Sequence, residues 1–428
     1  MGIHIVKPGD TLWSIAASYR STIEMITHTN GLENDLLMPG LALYIPTSAE
    51  LPVRYTRIQP GDTLAEISKR WQSSVPLLLY ANPAITSTNL PIGQVLAIPS
   101  PLRYPIRTLG FIDAFDPPSL SDLQDETGAS LTYAAVFTYG ALPGGGLTDL
   151  EDEQLIDTLI RNRIEPLMVV SNYEEGSFSP ELAGNVLKTE QRSVLITHII
   201  RVMREKGYKG VSLDFEFIPP ASRKDFTAFV QELKAAMGDL LLHVNVFSKT
   251  EDAPDNPLSG AFDYQAIGES ADLVTVLTYD YGYAAGQPDP IAPINWMEDI
   301  VRYATSLIPS PKLTIAIALF GYDWPGTNQQ DTDGMAIALS ARNAQQQALD
   351  NYAVIQYDQE AQAPFYTYSG NGNRRTVWFE DIRSLSAKYR LMEAYQLGGA
   401  AYWRLGYAFP QNWAYLRKNT AIWKEGTI

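Results

Sequence analysis

From Ile106 onward, apolar runs of strand length alternate eight times with amphipathic runs of helix length. The strand-like runs are TLGFIDAF, YAAVFTY, EPLMVVSNY, GVSLDFEF, LLHVNVFS, LVTVLTYD, LTIAIALFGY and GAAYWRLG. Stretches such as LEDEQLIDTLIRNR and ASRKDFTAFVQELKAAMG lie between them. Strands this uniformly apolar are buried on both faces, and crossover helices achieve that in a parallel sheet. An open doubly wound sheet is the alternative. The count of eight, and the lack of a G-x-G-x-x-G after the first strand, favour a closed (β/α)8 TIM barrel over residues 106–428.

Such barrels build their sites at the C-terminal ends of the strands. Seven of those ends carry polar or aromatic residues: Asp113, Tyr139, Asn172, Asp214 with Glu216, Asn245, Tyr279 with Asp280, and Trp403. Between the last two strands the chain is long, from about residue 321 to residue 399, and predicts a small α+β insertion walling one side of a cleft. That insertion holds a helix near Met335–Tyr352, a strand-rich run from Val354 to Asp381, and a second helix capped by Asp381 or Ser384 and closed by Gly398.

GVSLDFEF is the run with chemistry in it. Residues two apart on a strand share a face, so Ser212, Asp214 and Glu216 point into the barrel while Val211, Leu213, Phe215 and Phe217 point to the helices. Two inward acids on an apolar strand are costly to bury without a use. Two carboxylates this close do not both ionise readily, so one is held protonated, as a general acid requires.

The first hundred residues repeat themselves. IVKPGDTLWSIAASY and RIQPGDTLAEISKRW begin at Ile5 and Arg57, and asparagines follow at Asn30 and Asn82. Each copy closes on a similar run, LLMPGLALYIPT and NLPIGQVLAIPS. The pattern reads as strand, turn, two helices and a returning strand, with Asp10 or Thr11 and Asp62 or Thr63 capping the first helix. Two small α+β units result, 1–47 and 53–100, joined by the proline-containing linkers Thr47–Pro52 and Pro99–Pro105, which predict semi-rigid tethering.

Composition excludes several functions. A formal net charge of -16 lacks the basic footprint of a nucleic-acid partner. With no cysteine, disulfides and Cys-based zinc sites are ruled out. His4, His28, His198 and His243 form no H-E-x-x-H arrangement, so neither metal hydrolysis nor a metal-dependent deacetylase is supported, and no metal or other cofactor is expected. No run approaches the ~18 apolar residues of a membrane span. The opening MGIHIVKPGD has no basic-then-apolar segment, so no secretory signal is expected.

The two repeats resemble LysM modules, which bind N-acetylglucosamine-containing glycans. That resemblance implies a shallow groove near Gly9, Asp10, Thr11 and Asn30 in the first copy, and near Gly61, Asp62, Thr63 and Asn82 in the second. The strand residues resemble family 18 glycoside hydrolases, whose fourth strand carries Asp-Gly-x-Asp-x-Asp-x-Glu. Here the run is Lys209-Gly210-Val211-Ser212-Leu213-Asp214-Phe215-Glu216, so the last Asp and the Glu match, and Lys209 and Ser212 replace the other two acids. The resemblance implies substrate-assisted retaining hydrolysis, with Glu216 as acid and base and Asp214 orienting the substrate's 2-acetamido group. It also implies that Tyr279 binds the acetamido oxygen beside Asp280 and that Trp403 forms the sugar's floor. Asn172 and Asn245 are candidates for hydroxyl contacts, and a neutral Ser212–Asp214 contact is expected in place of the family's acid pair.

The whole arrangement resembles bacterial spore cortex-fragment-lytic N-acetylglucosaminidases. It implies peptidoglycan as partner and placement in the spore, in the cortex or coat region. A chitinase or an endo-acting enzyme on another glycan would use the same chemistry. A non-catalytic glycan-binding spore protein is the rival from another class, and the retained Asp214 and Glu216 count against it.

Overall fold

A computed structural model describes residues 2–45, 51–86, 90–114, 126–326, 335–370 and 373–424. The barrel strands are Tyr104–Asp113 (β1), Tyr133–Leu142 (β2), Glu165–Ser171 (β3), Gly210–Asp214 (β4), Leu241–Phe247 (β5), Leu273–Leu277 (β6), Leu313–Ala318 (β7) and Gly399–Trp403 (β8). Neighbours in sequence are neighbours in space, all parallel, and β1 pairs with both β2 and β8, which closes the barrel. A register irregularity between Val136 and Tyr139 bends β2 as it leaves the barrel. Tyr139 consequently turns away from the mouth and donates to the buried Asp152 at 2.6 Å.

The strands close because each buries both faces. Outside, Phe215 packs between Phe226 and Phe229 of the helix Arg223–Met237, at 6.2 and 5.6 Å between ring centroids. Inside, a polar chain crosses four adjacent strands. Ser212 Oγ meets His243 Nδ1 at 2.8 Å, His243 Nε2 meets Thr275 Oγ1 at 2.6 Å, and Thr275 meets Thr314 Oγ1 at 2.6 Å. Each group in this chain is buried and hydrogen-bonded, so burial leaves no orphaned partner.

The insertion is a five-stranded antiparallel sheet. Its order is Ile337–Ser340, Phe320–Trp324, Asn373–Trp378, Ala363–Gly370 and Gln356–Asp358. The helix expected near Met335–Tyr352 is confined to Ala341–Asp350, because Ser340 caps it and the residues before Ser340 pair with Phe320–Asp323 as a strand. The later helix, Ile382–Ala394, packs as the barrel's own seventh crossover helix, with Asp381 and Ser384 together forming its capping box.

Both repeats fold as the antiparallel strand pair with two helices. The first is Ile3–Ile5, Leu12–Tyr19, Ile23–Asn30 and Ala42–Tyr44; the second is Val53–Arg57, Leu64–Arg70, Val75–Ala81 and Val95–Pro99. They are docked onto the barrel as well as linked to it. In the first module Leu12, Ile26 and Leu43 share one apolar cluster with Ala344, Leu349 and Ile355 of the insertion. Gly40, at φ +87°, lies so close to the insertion that a Cβ there would fall 1.8 Å from the Ile355 carbonyl oxygen. In the second module Arg54 forms a buried ion pair with Glu393 and stacks 4.3 Å over the Trp71 ring. Most of the first linker, residues 47–50, lies outside the described residues. Among the described residues no helix is long and apolar enough to cross a membrane.

Candidate active site

Strand β4 ends at Asp214, so Glu216 stands just beyond the ladder, at the mouth. Phe217 follows at φ +52°, a left-handed conformation that turns the chain sharply. Its ring therefore does not face the helices with Phe215. It lies 39% exposed at the rim against Phe247, 5.5 Å away between centroids.

Asp214 is 5% exposed and accepts a 2.8 Å hydrogen bond from Asn245 Nδ2. Burial raises its carboxyl to about 6, against the bond from Asn245, which lowers it. Glu216 is driven well above the usual carboxylate range, first by burial and then by the charges of Asp214 and Asp280. Tyr279 is likewise raised by burial and by Glu216, Asp214 and Asp280, so its hydroxyl stays a proton donor. These four groups from β4 and the end of β6 thus share one electrostatic environment, and it favours protonated forms.

Asp280 sits at φ +58° and opens to solvent, with Tyr322 of the insertion donating to its Oδ1 at 3.1 Å. Trp403 is half-buried at the end of β8 and packs on Phe111 and Phe137, at 5.6 and 5.3 Å between centroids. Arg404 follows it and pairs with Asp113 at 3.3 Å.

Two expectations at the mouth change in the folded chain, and a third holds. Ser212 hydrogen-bonds His243 instead of Asp214, because His243 lies directly across from it on β5. Burial holds that imidazole neutral, with its pKa lowered to about 3, so it accepts or donates without adding charge beneath the acids. Asn172 has no exposed surface to offer a sugar hydroxyl: its amide is bonded to the Glu216 backbone and to Ser179 O. Asn245 does reach the site, and its Oδ1 has no partner among the described residues.

In the modules, Gly9 and Gly61 occupy matching left-handed positions, φ +89° and +88°, in open space. Asp10 and Asp62 close these turns by accepting from Lys7 N and Gln59 N, each at 2.8 Å, while Thr11 and Thr63 cap the helices. Asn30 and Asn82 are internal staples. Asn30 bonds Ile26 O, Tyr44 O and Tyr44 N; Asn82 bonds Leu78 O, Ala97 O and Ala97 N. Their amides are committed to these bonds, with Asn30 Oδ1 also accepting from Gln411 Nε2, while half-buried Asn82 borders a cavity shared with Glu298 and Arg390 of the barrel.

Tyr322, Thr275, Thr314 and Arg404 support the site without a local sequence signal that marks them. Only alternation in GYDW hinted at Tyr322, since nothing local says that the insertion's first strand returns to Asp280. His243, which lacks metal-ligand spacing, instead links Ser212 to Thr275 beneath the acids.

A parallel eight-stranded barrel with buried acids at its mouth and two small modules docked alongside defines a modular glycoside hydrolase. Residues 161–408 match the glycosyl hydrolases family 18, and residues 4–46 and 56–99 each match the LysM domain. The chain belongs to glycosyl hydrolase family 18, with two LysM domains. It is 34% identical to the cortical fragment-lytic enzyme of Bacillus subtilis (strain 168), covering 99% of each chain. The crystal structure of the Bacillus cereus spore cortex-lytic enzyme SleL superposes with a TM-score of 0.86 at 30% identity, covering 100% of this chain and 99% of that one. The corresponding Bacillus megaterium QM B1551 structure gives 0.82 at 31% identity, with 99% of each chain covered.

Proposed function

We propose that this protein is an N-acetylglucosaminidase acting on spore cortex peptidoglycan or its fragments during germination, by a substrate-assisted retaining mechanism. The observation that carries the reading is the set of Glu216, Asp214 and Tyr279 at one mouth, with Glu216 favoured in its protonated form by burial and by its neighbours' charges. Similarity to the cortical fragment-lytic enzymes along the full chain supports the choice of polymer.

In this mechanism Glu216 gives its proton to the glycosidic oxygen as the bond to the anomeric carbon breaks. The substrate's acetamido oxygen attacks that carbon from the other side and forms an oxazolinium ion. Asp214 accepts the acetamido N–H and stabilises the developing positive charge, held in place by Asn245. The Tyr279 hydroxyl donates to the acetamido oxygen and orients it. Glu216, now a carboxylate, removes a proton from water as that water opens the ring, so configuration is retained. Trp403 supplies the apolar floor and Asp280 a hydroxyl contact. The LysM turns at Gly9–Thr11 and Gly61–Thr63 hold a neighbouring stretch of the same glycan, which raises its local concentration at the barrel.

Product analysis on purified cortex fragments tests the proposal. Intact enzyme should release products ending in reducing N-acetylglucosamine, and Glu216→Gln should not. Binding without cleavage by the intact protein would favour a glycan-binding spore protein, and cleavage of chitin alone a chitinase.

A further inference from the structure

Strands β3 and β4 pair from Gly210 opposite Leu167 up to Asp214 opposite Ser171, and both end there. Glu216 lies two residues past that end, where no backbone ladder holds it. Its backbone is held by a side chain. Asn172 Nδ2 donates to Glu216 O at 2.8 Å, and Glu216 N donates to Asn172 Oδ1 at 2.9 Å. One primary amide thus satisfies the N–H and the C=O of the same residue, as a partner strand would.

The remaining Nδ2 hydrogen goes to Ser179 O at 2.9 Å, and Ser179 N donates back to Asn172 O at 2.9 Å. Ser179 also caps the helix Pro180–Val186, so the clamp is itself anchored to a regular element. Asn172 has 0% of its surface exposed. Phe217, immediately after Glu216, is in the left-handed region, a conformation that persists only where its surroundings enforce it.

We infer that Asn172 is the positioning residue for the acid: its amide extends the β3–β4 pairing past the strand ends and fixes the backbone that carries Glu216. The inference rests on the reading of Glu216 as general acid. Asn172 touches neither substrate nor the reacting atoms and acts only through where it holds that carboxyl.

A leaving-group comparison separates this role from a merely structural one. Proton donation matters for a sugar leaving group and little for 2,4-dinitrophenolate, which departs unaided. Asn172→Ala should lower kcat/KM on an N-acetylglucosamine oligosaccharide by about 10²-fold, the cost of a misplaced catalytic group. On the dinitrophenyl glycoside of the same sugar the loss should stay below about tenfold. The ratio of the two losses does not depend on the fraction of enzyme that is folded. Equal losses on both substrates would overturn the inference, as would a rise in KM with kcat retained.

Hydrogen exchange on the full chain gives a second readout that needs no activity. Amide protection over residues 214–218 should fall in Asn172→Ala relative to the wild type and be partly restored in Asn172→Gln, and unchanged protection in the alanine variant would also overturn the inference. A wild-type enzyme inactive on both substrates would instead count against the proposed function.

Discussion

Gln411 Nε2 reaches across 381 positions of sequence to donate to Asn30 Oδ1 at 2.7 Å, and it also donates to Ala42 O at 2.9 Å. The barrel's last helix, Pro410–Asn419, thereby grips the internal staple of the first LysM module. The same oxygen of Asn30 accepts Tyr44 N, so fold and docking meet at one atom.

Asn30→Ala strands several buried partners at once. At ~1–3 kcal/mol per unsatisfied group, partly relieved by relaxation, the loss should be about 2–4 kcal/mol. Because the module shares its apolar cluster with the insertion, a thermal melt should move as one transition without splitting off an early one. Asn82→Ala, at a half-buried site, should cost less.

Asp214 gives stability a pH dependence whose sign is fixed. Its folded pKa, about 6, lies above its ordinary 3.8, so the folded state keeps the proton longer. Its contribution is full below pH 3.8 and is lost as pH rises through about 6. Asp214→Asn removes it, so urea unfolding should show the wild type losing stability relative to the variant across that window. A constant difference would contradict the burial argument.

The alkaline side of the activity profile should report Glu216 losing its proton. Burial raises that carboxyl most, with Asp214 and then Asp280 adding to it. Asp280→Asn takes away one negative charge, so the alkaline limb of kcat/KM should move to lower pH. A limb that stays in place would mean another group sets it.

Substrate assistance demands the acetamido group. Deacetylated oligosaccharide should be bound and not cleaved, and a thiazoline analogue of the oxazolinium ion should inhibit competitively, at concentrations well below those of the sugar itself. Cleavage of both sugars at similar rates would point to a protein nucleophile.

Tyr279→Phe should retain the fold and lose about 10–10²-fold in kcat, the range for one directed hydrogen bond at a developing charge. KM should change little, since the bond strengthens only as the acetamido oxygen attacks. Steady-state kinetics on oligosaccharide separate the two constants.

Local information was rich where chemistry is written in spacing. PGDTL recurring from Pro8 and from Pro60, the eight apolar runs and the Asp214-x-Glu216 alternation are all written in contiguous sequence, and these need no partner to be read. The same rule failed at Phe217, because period-two alternation holds only while a strand lasts and β4 ends at Asp214.

What the chain alone determined is therefore the set of elements, the barrel they close into and the acids that β4 delivers to its mouth. Only the tertiary structure decided what the polar side chains do. Asn172 reads as a glycan ligand because a polar residue at a strand end is exposed by default, and Asn30 and Asn82 do so through the LysM resemblance. Each is instead spent on backbone groups that its neighbours leave unpaired, and that demand appears only when distant segments meet. Ser212 likewise turned to His243, since pairing across β4 and β5 set its partner, a relation no local pattern carries.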